Sequence, residues 1–253
     1  MCERCGELPS NKLWAPLLNR LLITSILTLG LYSGYTQELK TITRKTLQTI
    51  EEFEVLKSDK RIRNGKYVKT TPFGVLIAKG QFKANLRSGV WEFYDYRTGK
   101  LEQRFDYDRE KITYLNMKNI PLSHFNYDGQ WIMEELDTVP VLIGGFSDLR
   151  MELVKKAYSY TKTLNFPEAG TALFSFIVTK SGETKDFRIV RSSGNEFESR
   201  LLTHIKNSGG KWIPGKFEGE PVDTEFFIPM NVRYEVDDPD KKVLLIEFSY
   251  PER

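Results

Sequence analysis

Hydrophobic and polar positions change their period along this chain of 253 residues. Leu21 to Tyr35 is an unbroken apolar run. From Phe53 to Asp108 the apolar positions come in short alternating stretches cut by Gly80, Gly89 and Gly99. Leu101, Gln103, Phe105 and Tyr107 alternate there with Glu102, Arg104 and Asp106. Short strands between glycine turns predict an antiparallel meander. Phe73–Ile77 reads as one of its apolar runs, and Phe125 to Trp131 as one more hairpin. Gln37–Glu52, with Leu39, Ile42, Leu47 and Ile50 loosely spaced, predicts a short helix or a lead-in. Glu134–Asp137 reads as a solvated linker.

Past Pro140 the helical period appears. Ser147–Thr161 places Leu149, Leu153, Val154, Ala157 and Tyr158 on one face, with Ser147 as the cap. Thr171–Thr179 alternates as a strand, Ser181-Gly182 turns the chain, and Thr184–Arg191 returns. Asn195-x-x-Glu198 resembles a capping box for a second helix, with Phe197, Leu201 and Ile205 on its apolar face and Gly209-Gly210 at its end. Val222–Tyr234 is a long strand with Phe226, Ile228, Met230, Val232 and Tyr234 on one face. The order is helix, strand, strand, helix, strand.

The apolar run follows Lys12 and Arg20 and leads to Gly34 and Thr36, small residues at the −3 and −1 positions of a cut before Gln37. That layout predicts a secretory signal peptide over residues 1–36 and export to the periplasm. The rival is an inner-membrane anchor through residues 13–35. The uninterrupted run falls short of the ~20 residues a spanning helix needs. Both cysteines, Cys2 and Cys5, precede the cut, so the mature chain has no disulfide.

A formal charge of +3, with bases and acids interleaved, gives no support for a nucleic-acid partner. No nucleophile–His–Asp set, metal cluster or phosphate loop is visible, so no catalytic residue, metal or cofactor is expected. His124 and His204 each stand alone, and Gly144-Gly145 lacks the later Gly and Lys of a phosphate loop.

Lys79-Gly80-x-Phe82, Ser88-Gly89-x-Trp91-x-Phe93-Tyr94 and Thr98-Gly99-x-Leu101 resemble MORN-like hairpin repeats. Such repeats are associated with scaffolding, lipid contact and antitoxins, and residues 37–137 are assigned to this region. Its aromatics read as a packed hydrophobic face rather than a ligand site. In the C-terminal part, an ordered set resembles the TonB C-terminal domain over residues 138–236. It comprises Pro140-x-x-x-Gly144-Gly145, Phe166-Pro167, the Gly182 hairpin, Val190-x-Ser-Ser193, Lys211-Trp212-x-Pro214-Gly215, Gly219-x-Pro221-Val222 and Ile228-Pro229.

The resemblance implies a two-layer α+β domain that binds outer-membrane TonB-dependent transporters or other envelope proteins by adding a strand of the partner. Its structural motif residues here are Gly144, Gly145, Pro167, Gly182, Trp212, Pro214, Gly215 and Gly219. Pro229 inside Val222–Tyr234 predicts a strand that lies at an edge or holds a bulge. Glu225, Phe227, Pro229, Asn231 and Arg233, on the face away from the apolar stripe, are the expected partner-binding residues. Energy-transducing members keep a membrane anchor and a long Pro-rich spacer, whereas the eleven prolines here are dispersed. Force transduction is therefore not expected. A MORN-like scaffold or antitoxin-like binder is the alternative. Homodimerisation through edge strands and peripheral membrane association both stay open. The tail, residues 237–253, carries an apolar run at Val243–Phe248 that is expected to fold back and pair with Val222–Tyr234.

Overall fold

The computed structural model describes residues 37–116, 122–161, 170–192, 196–238 and 241–248. The first seven strands form an antiparallel meander in chain order: β1 Leu39–Lys45, β2 Ile50–Leu56, β3 Arg63–Thr70, β4 Leu76–Lys83, β5 Leu86–Tyr94, β6 Leu101–Asp106 and β7 Lys111–Leu115. Its buried face collects Phe53, Val55, Tyr67, Ala78, Trp91, Phe93 and Phe105. Trp91 is the centre. Its ring lies 5.2 Å from Tyr67 and 5.1 Å from Phe82, the Arg87 guanidinium sits 4.5 Å from it, and its Nε1 donates to the Gln81 carbonyl at 3.1 Å. Gly80 makes this placement possible. A Cβ there would stand 2.3 Å from the indole.

Two expectations from the pattern are corrected here. Gln37–Glu52 is not helical; it contains β1 and the start of β2, paired from Leu39↔Leu56 to Lys45↔Ile50. The β-branched Thr41, Ile42 and Thr43 suit a strand, and the ladder with β2 outweighs the loose spacing. The turn is held by Thr46 Oγ1, which accepts from the amides of Gln48 and Thr49. The apolar run Phe73–Ile77 enters a strand only at Leu76, because Thr71–Val75 closes a turn that leaves Phe73 exposed.

The hairpin of β8 Leu122–Tyr127 and β9 Gln130–Glu135 follows, within residues 37–137, and its sheet partner lies downstream. The supposed linker Glu134–Asp137 is not simply solvated: Glu134 and Glu135 end β9, Leu136 is buried, and the Asp137 carboxylate accepts from Gly219. Next come β10 Val141–Leu142, α1 Ser147–Thr161, β11 Gly170–Val178, β12 Thr184–Arg191, α2 Glu196–Asn207, β13 Trp212–Ile213 and β14 Gly215–Phe217. The 19-residue β15, Glu220–Asp238, and β16, Lys241–Phe248, complete the chain. The helix, strand, strand, helix, strand order is present, with short strands and β16 added.

The second sheet runs β12-β11-β15-β8-β9, and β14 and β16 also pair with β15. Ala172, Phe174, Phe176 and Val178 of β11 share a core with Phe226, Ile228, Met230 and Val232 of β15. Leu153 and Ala157 of α1, Leu201 and Ile205 of α2, and Ile246 and Phe248 of β16 close over it. Alternation along both strands puts these side chains on one face, as the sequence pattern implied.

Polar groups tie the first sheet to the start of α1. Ser147 does not cap its own helix through its hydroxyl. That oxygen accepts from the Tyr96 amide at 3.0 Å and donates to the Tyr94 carbonyl at 2.8 Å. Arg150 Nη1 donates to Asp95 Oδ2 at 3.0 Å, both side chains being buried. Gln103, buried, donates to the Leu142 carbonyl and accepts from the Gly144 amide, as a neighbouring strand would. Ile143 and Ile213 pack onto the aromatic cluster of the first sheet. Residues Leu39–Arg253 accordingly make one compact unit.

Replacing Gly80 by alanine forces the Trp91 ring aside. Gly80→Ala is expected to lower the unfolding free energy by ~1–3 kcal/mol, the usual range for overpacking, as read from urea denaturation.

Candidate functional site

The residues expected to meet a partner share one face of β15. In the ladder with β11, Glu225 opposes Ile177, Phe227 opposes Ser175, Pro229 opposes Leu173 and Asn231 opposes Thr171. That face lies opposite the helix-covered core. Phe227, Pro229 and Asn231 are half-buried and Arg233 is exposed. Glu225 is different: it is 7% exposed and fully engaged within the chain. Arg188 Nη2 of β12 donates to its carboxylate at 2.5 Å, and His124 Nδ1 of β8 shares a hydrogen bond with it at 2.7 Å. Arg188 Nε also donates to Ser175 Oγ, and the His124 ring lies 4.8 Å from Trp131. Burial pushes the Glu225 carboxyl up, but the hydrogen bonds from Arg188, His124 and Ser175 outweigh it and hold the group below its ordinary value of 4.5. Sequence reasoning missed Arg188 and His124 as its partners. They stand on other strands, and nothing local in the sequence marks the contact.

The expected open edge is corrected. β15 is the central strand of its sheet. β11 pairs along one side of it from Thr224 to Val232. β8 takes Asp223 and Thr224, and β16 takes Met230 to Asp238. Among the described residues, Glu225 to Pro229 pair only with β11. Pro229 sits at the end of that interval, where a residue without an N–H costs the ladder least. So proline marked a gap in pairing rather than an outer strand. The expected pairing of the tail with Val222–Tyr234 is present: β16 runs beside β15 in unbroken register from Val236↔Lys242 to Met230↔Phe248.

The motif residues are spread through the scaffold. Gly144 and Gly145, with φ of 109° and 72°, form the turn that meets Gln103 and Phe93. Gly182 lies against the backbone of Trp212; a Cβ there would be 2.3 Å from the Trp212 carbonyl oxygen. Trp212 is buried, pairs with Leu142, and rests its ring 4.8 Å from Phe226, 5.4 Å from Phe176 and 5.8 Å from Phe146. Pro214 and Gly215 follow it into β14, where Gly215 faces Thr224, Leu136 and Pro140. Gly219 makes the β14–β15 turn. Pro167, Ser193 and Asn195 lie outside the described residues. His204 Nε2 stands 3.4 Å from Glu152 Oε2, linking α2 to α1. Among the described residues no group of three or more His, Cys, Asp or Glu is placed to hold a metal ion.

This geometry offers backbone edges and side-chain faces for binding. Residues 167–236, which include β11, β12, α2 and most of β15, match the family described as Gram-negative bacterial TonB protein C-terminal. They are a TonB C-terminal domain. Domains of this family are non-catalytic, act in the periplasm and bind TonB-dependent outer-membrane receptors. The match suggests a TonB-like role in energy transduction to outer-membrane transporters. Neither a curated protein nor a solved structure matches the chain.

Trp212→Ala empties the centre of an aromatic cluster and is expected to cost ~3–5 kcal/mol in chemical denaturation. A pH effect follows from Glu225. Its pKa is lowered in the fold, so its contribution is full above about pH 4.5. That contribution fades as the pH falls through the lowered value. The melting temperature of the wild type should therefore drop more steeply below about pH 4.5 than that of Glu225→Gln.

Proposed function

We propose that this chain is an exported, non-enzymatic binding protein of the bacterial envelope, serving TonB-dependent transport by capturing an extended segment of a partner. The observation that carries this reading is the TonB C-terminal match over residues 167–236, on a sheet whose strands end in unpaired edges. Strand addition suits it: backbone hydrogen bonds give affinity, and alternate side chains give selectivity. Residues 1–36 act as a signal peptide, and Leu39–Arg253 work as one folded body in the periplasm. No helix among the described residues is long and apolar enough to cross a membrane. Phe227, Pro229, Asn231 and Arg233 line the sheet face beside the captured segment, while Glu225 holds β12 and β8 in place. An anchor and Pro-rich spacer of the energy-transducing kind are not part of this reading.

The alternative, a MORN-like scaffold or antitoxin-like binder, would use the aromatics of the first sheet. Phe53, Tyr67, Trp91, Phe93 and Phe105 are buried, with Ile143 and Ile213 packed on them, which leaves those rings unavailable to a partner.

The test is cross-linking in intact cells, using a photoreactive residue at Arg233 and, as control, at Arg97 of the first sheet. Recovery of outer-membrane transporters from the Arg233 position alone supports the proposal. Recovery of none from either position, with the protein present in the periplasm, refutes it. Mass measurement of the periplasmic protein should give an N-terminus at Gln37.

A further inference from the structure

The hairpin of β8 and β9 lies ahead of the matched residues 167–236. β8 pairs with β15 at Asp223 and Thr224, and β9 ends the second sheet. Four of the twelve large hydrophobic side chains exposed among the described residues belong to this hairpin: Leu122, Tyr127, Trp131 and Met133. The cross-strand pairs Leu122↔Glu135, His124↔Met133 and Asn126↔Trp131 put Leu122, Trp131 and Met133 on one face. The turn fixes which backbone groups of β9 are free. Asp128 and Gly129 have φ of 49° and 81°, which fits the type I′ loop of a two-residue hairpin. In such a turn the Tyr127 carbonyl accepts from the Gln130 amide. Antiparallel bonding alternates from there, so Gln130, Ile132 and Glu134 bond to β8, while the amides and carbonyls of Trp131, Met133 and Glu135 point away from it. Among the described residues no strand pairs on that side.

We infer that β9 is an interface for a second copy of this chain, the two β9 strands pairing antiparallel about Ile132. A two-fold axis sets each strand against its own copy, so the edge has to match itself. Centred on Ile132, the free backbone groups of Trp131 meet those of the second copy's Met133, and the reverse. Each of these two pairs exchanges both ladder bonds. The side chains agree with the backbone. Trp131 meets the second copy's Met133, which gives a sulfur–aromatic contact, and Ile132 meets Ile132. Glu134 and Glu135, which would otherwise blunt the edge, fall opposite Gln130 and Gly129, so no like charges face each other. Centring on Met133 also aligns the free backbone groups, but it sets Trp131 against Glu135 and Ile132 against Glu134. Other edges fit themselves less well. β1 centred on Ile42 sets Lys40 against Arg44. β12 has a register shift and holds Asp186 at φ 54°, and β7 has 5 residues. The β9 interface does not depend on strand capture, and it leaves β12, at the far end of the sheet, untouched.

A 6-residue strand on each side makes a small interface, so the dimer is expected to dissociate in the micromolar range. The experiment is sedimentation of the purified full chain over a concentration series, with amide exchange followed by NMR. The amides of Trp131 and Met133 should slow as the dimer forms, while that of Ile132, already bonded to β8, should not change. Trp131→Lys and Met133→Glu should each weaken self-association at least about tenfold, and mixing the two variants should restore it, because lysine then faces glutamate in the heterodimer. Both positions are exposed, and an unchanged melting temperature confirms that each variant is folded. A monomer throughout the micromolar range overturns the proposal. So does a dimer that survives both variants or protects a different edge, and so does a mixture that fails to recover. Protection of Trp131 and Met133 that ignores protein concentration and appears only with envelope extract assigns the edge to another protein and overturns the proposal as well.

Discussion

The second sheet depends on one strand. β15 carries four of the buried core positions, Phe226, Ile228, Met230 and Val232. It also supplies the ladder for β11, β8, β14 and β16. At 19 residues it is far longer than an average strand. Such length is tolerable because successive stretches have different neighbours. Its first residues pair with β14, the middle with β11 and β8, and the last with β16. A one-residue register slip in the middle would move core side chains to the opposite face of the sheet. Polar contacts pin that middle stretch. Glu225 draws in Arg188 from one side and His124 from the other, so three strands are pinned at one buried carboxylate.

Local pattern made much of this legible. α1 and the strands after it follow the apolar periods closely, and Gly182 and Gly209 mark real turns. The places that misled are those where a distant neighbour decides. β1 is a strand because β2 lies beside it, and no residue in Gln37–Glu52 announces that partner. Pro229 signals a missing hydrogen bond correctly, yet whether the gap lies at a sheet edge or within a central strand depends on β8 and β16. Ser147 has the right chemistry for a helix cap, and its hydroxyl is instead taken by the Tyr94–Tyr96 backbone. Glu225 illustrates the same limit for the site. Alternation placed it correctly on the face away from the core, but only the fold shows it buried beneath Arg188 and His124.

The joint between the two sheets includes Gly144-Gly145, two of the residues that carry the family resemblance. Gly144-Gly145 turns the chain toward α1, and Gln103 from the first sheet fills the hydrogen bonds that this turn leaves open. Asp95 receives Arg150 of α1 as well as the amides of Arg97 and Thr98. Removing one partner of such a buried pair exposes the other to the full desolvation penalty. The first sheet is thus fixed to the helix that covers the second. A binding domain with that attachment behaves as part of a larger body, not as a bead on a string.

That attachment bears on reach. A polyproline spacer extends by ~3.1 Å per residue, so the length of chain from Gln37 to Asn116 could span well over a hundred ångströms if it were extended. Here it is folded back and forth in seven strands. The longest, β5, has 9 residues and covers roughly 30 Å. The same residues that could carry a domain across a wide compartment are instead used to brace it. This body cannot extend to a distant partner by uncoiling without unstacking Trp91 from Tyr67 and Phe82 and breaking the Asp95–Arg150 pair. A braced edge loses little order on capturing a strand because its backbone is already extended and held.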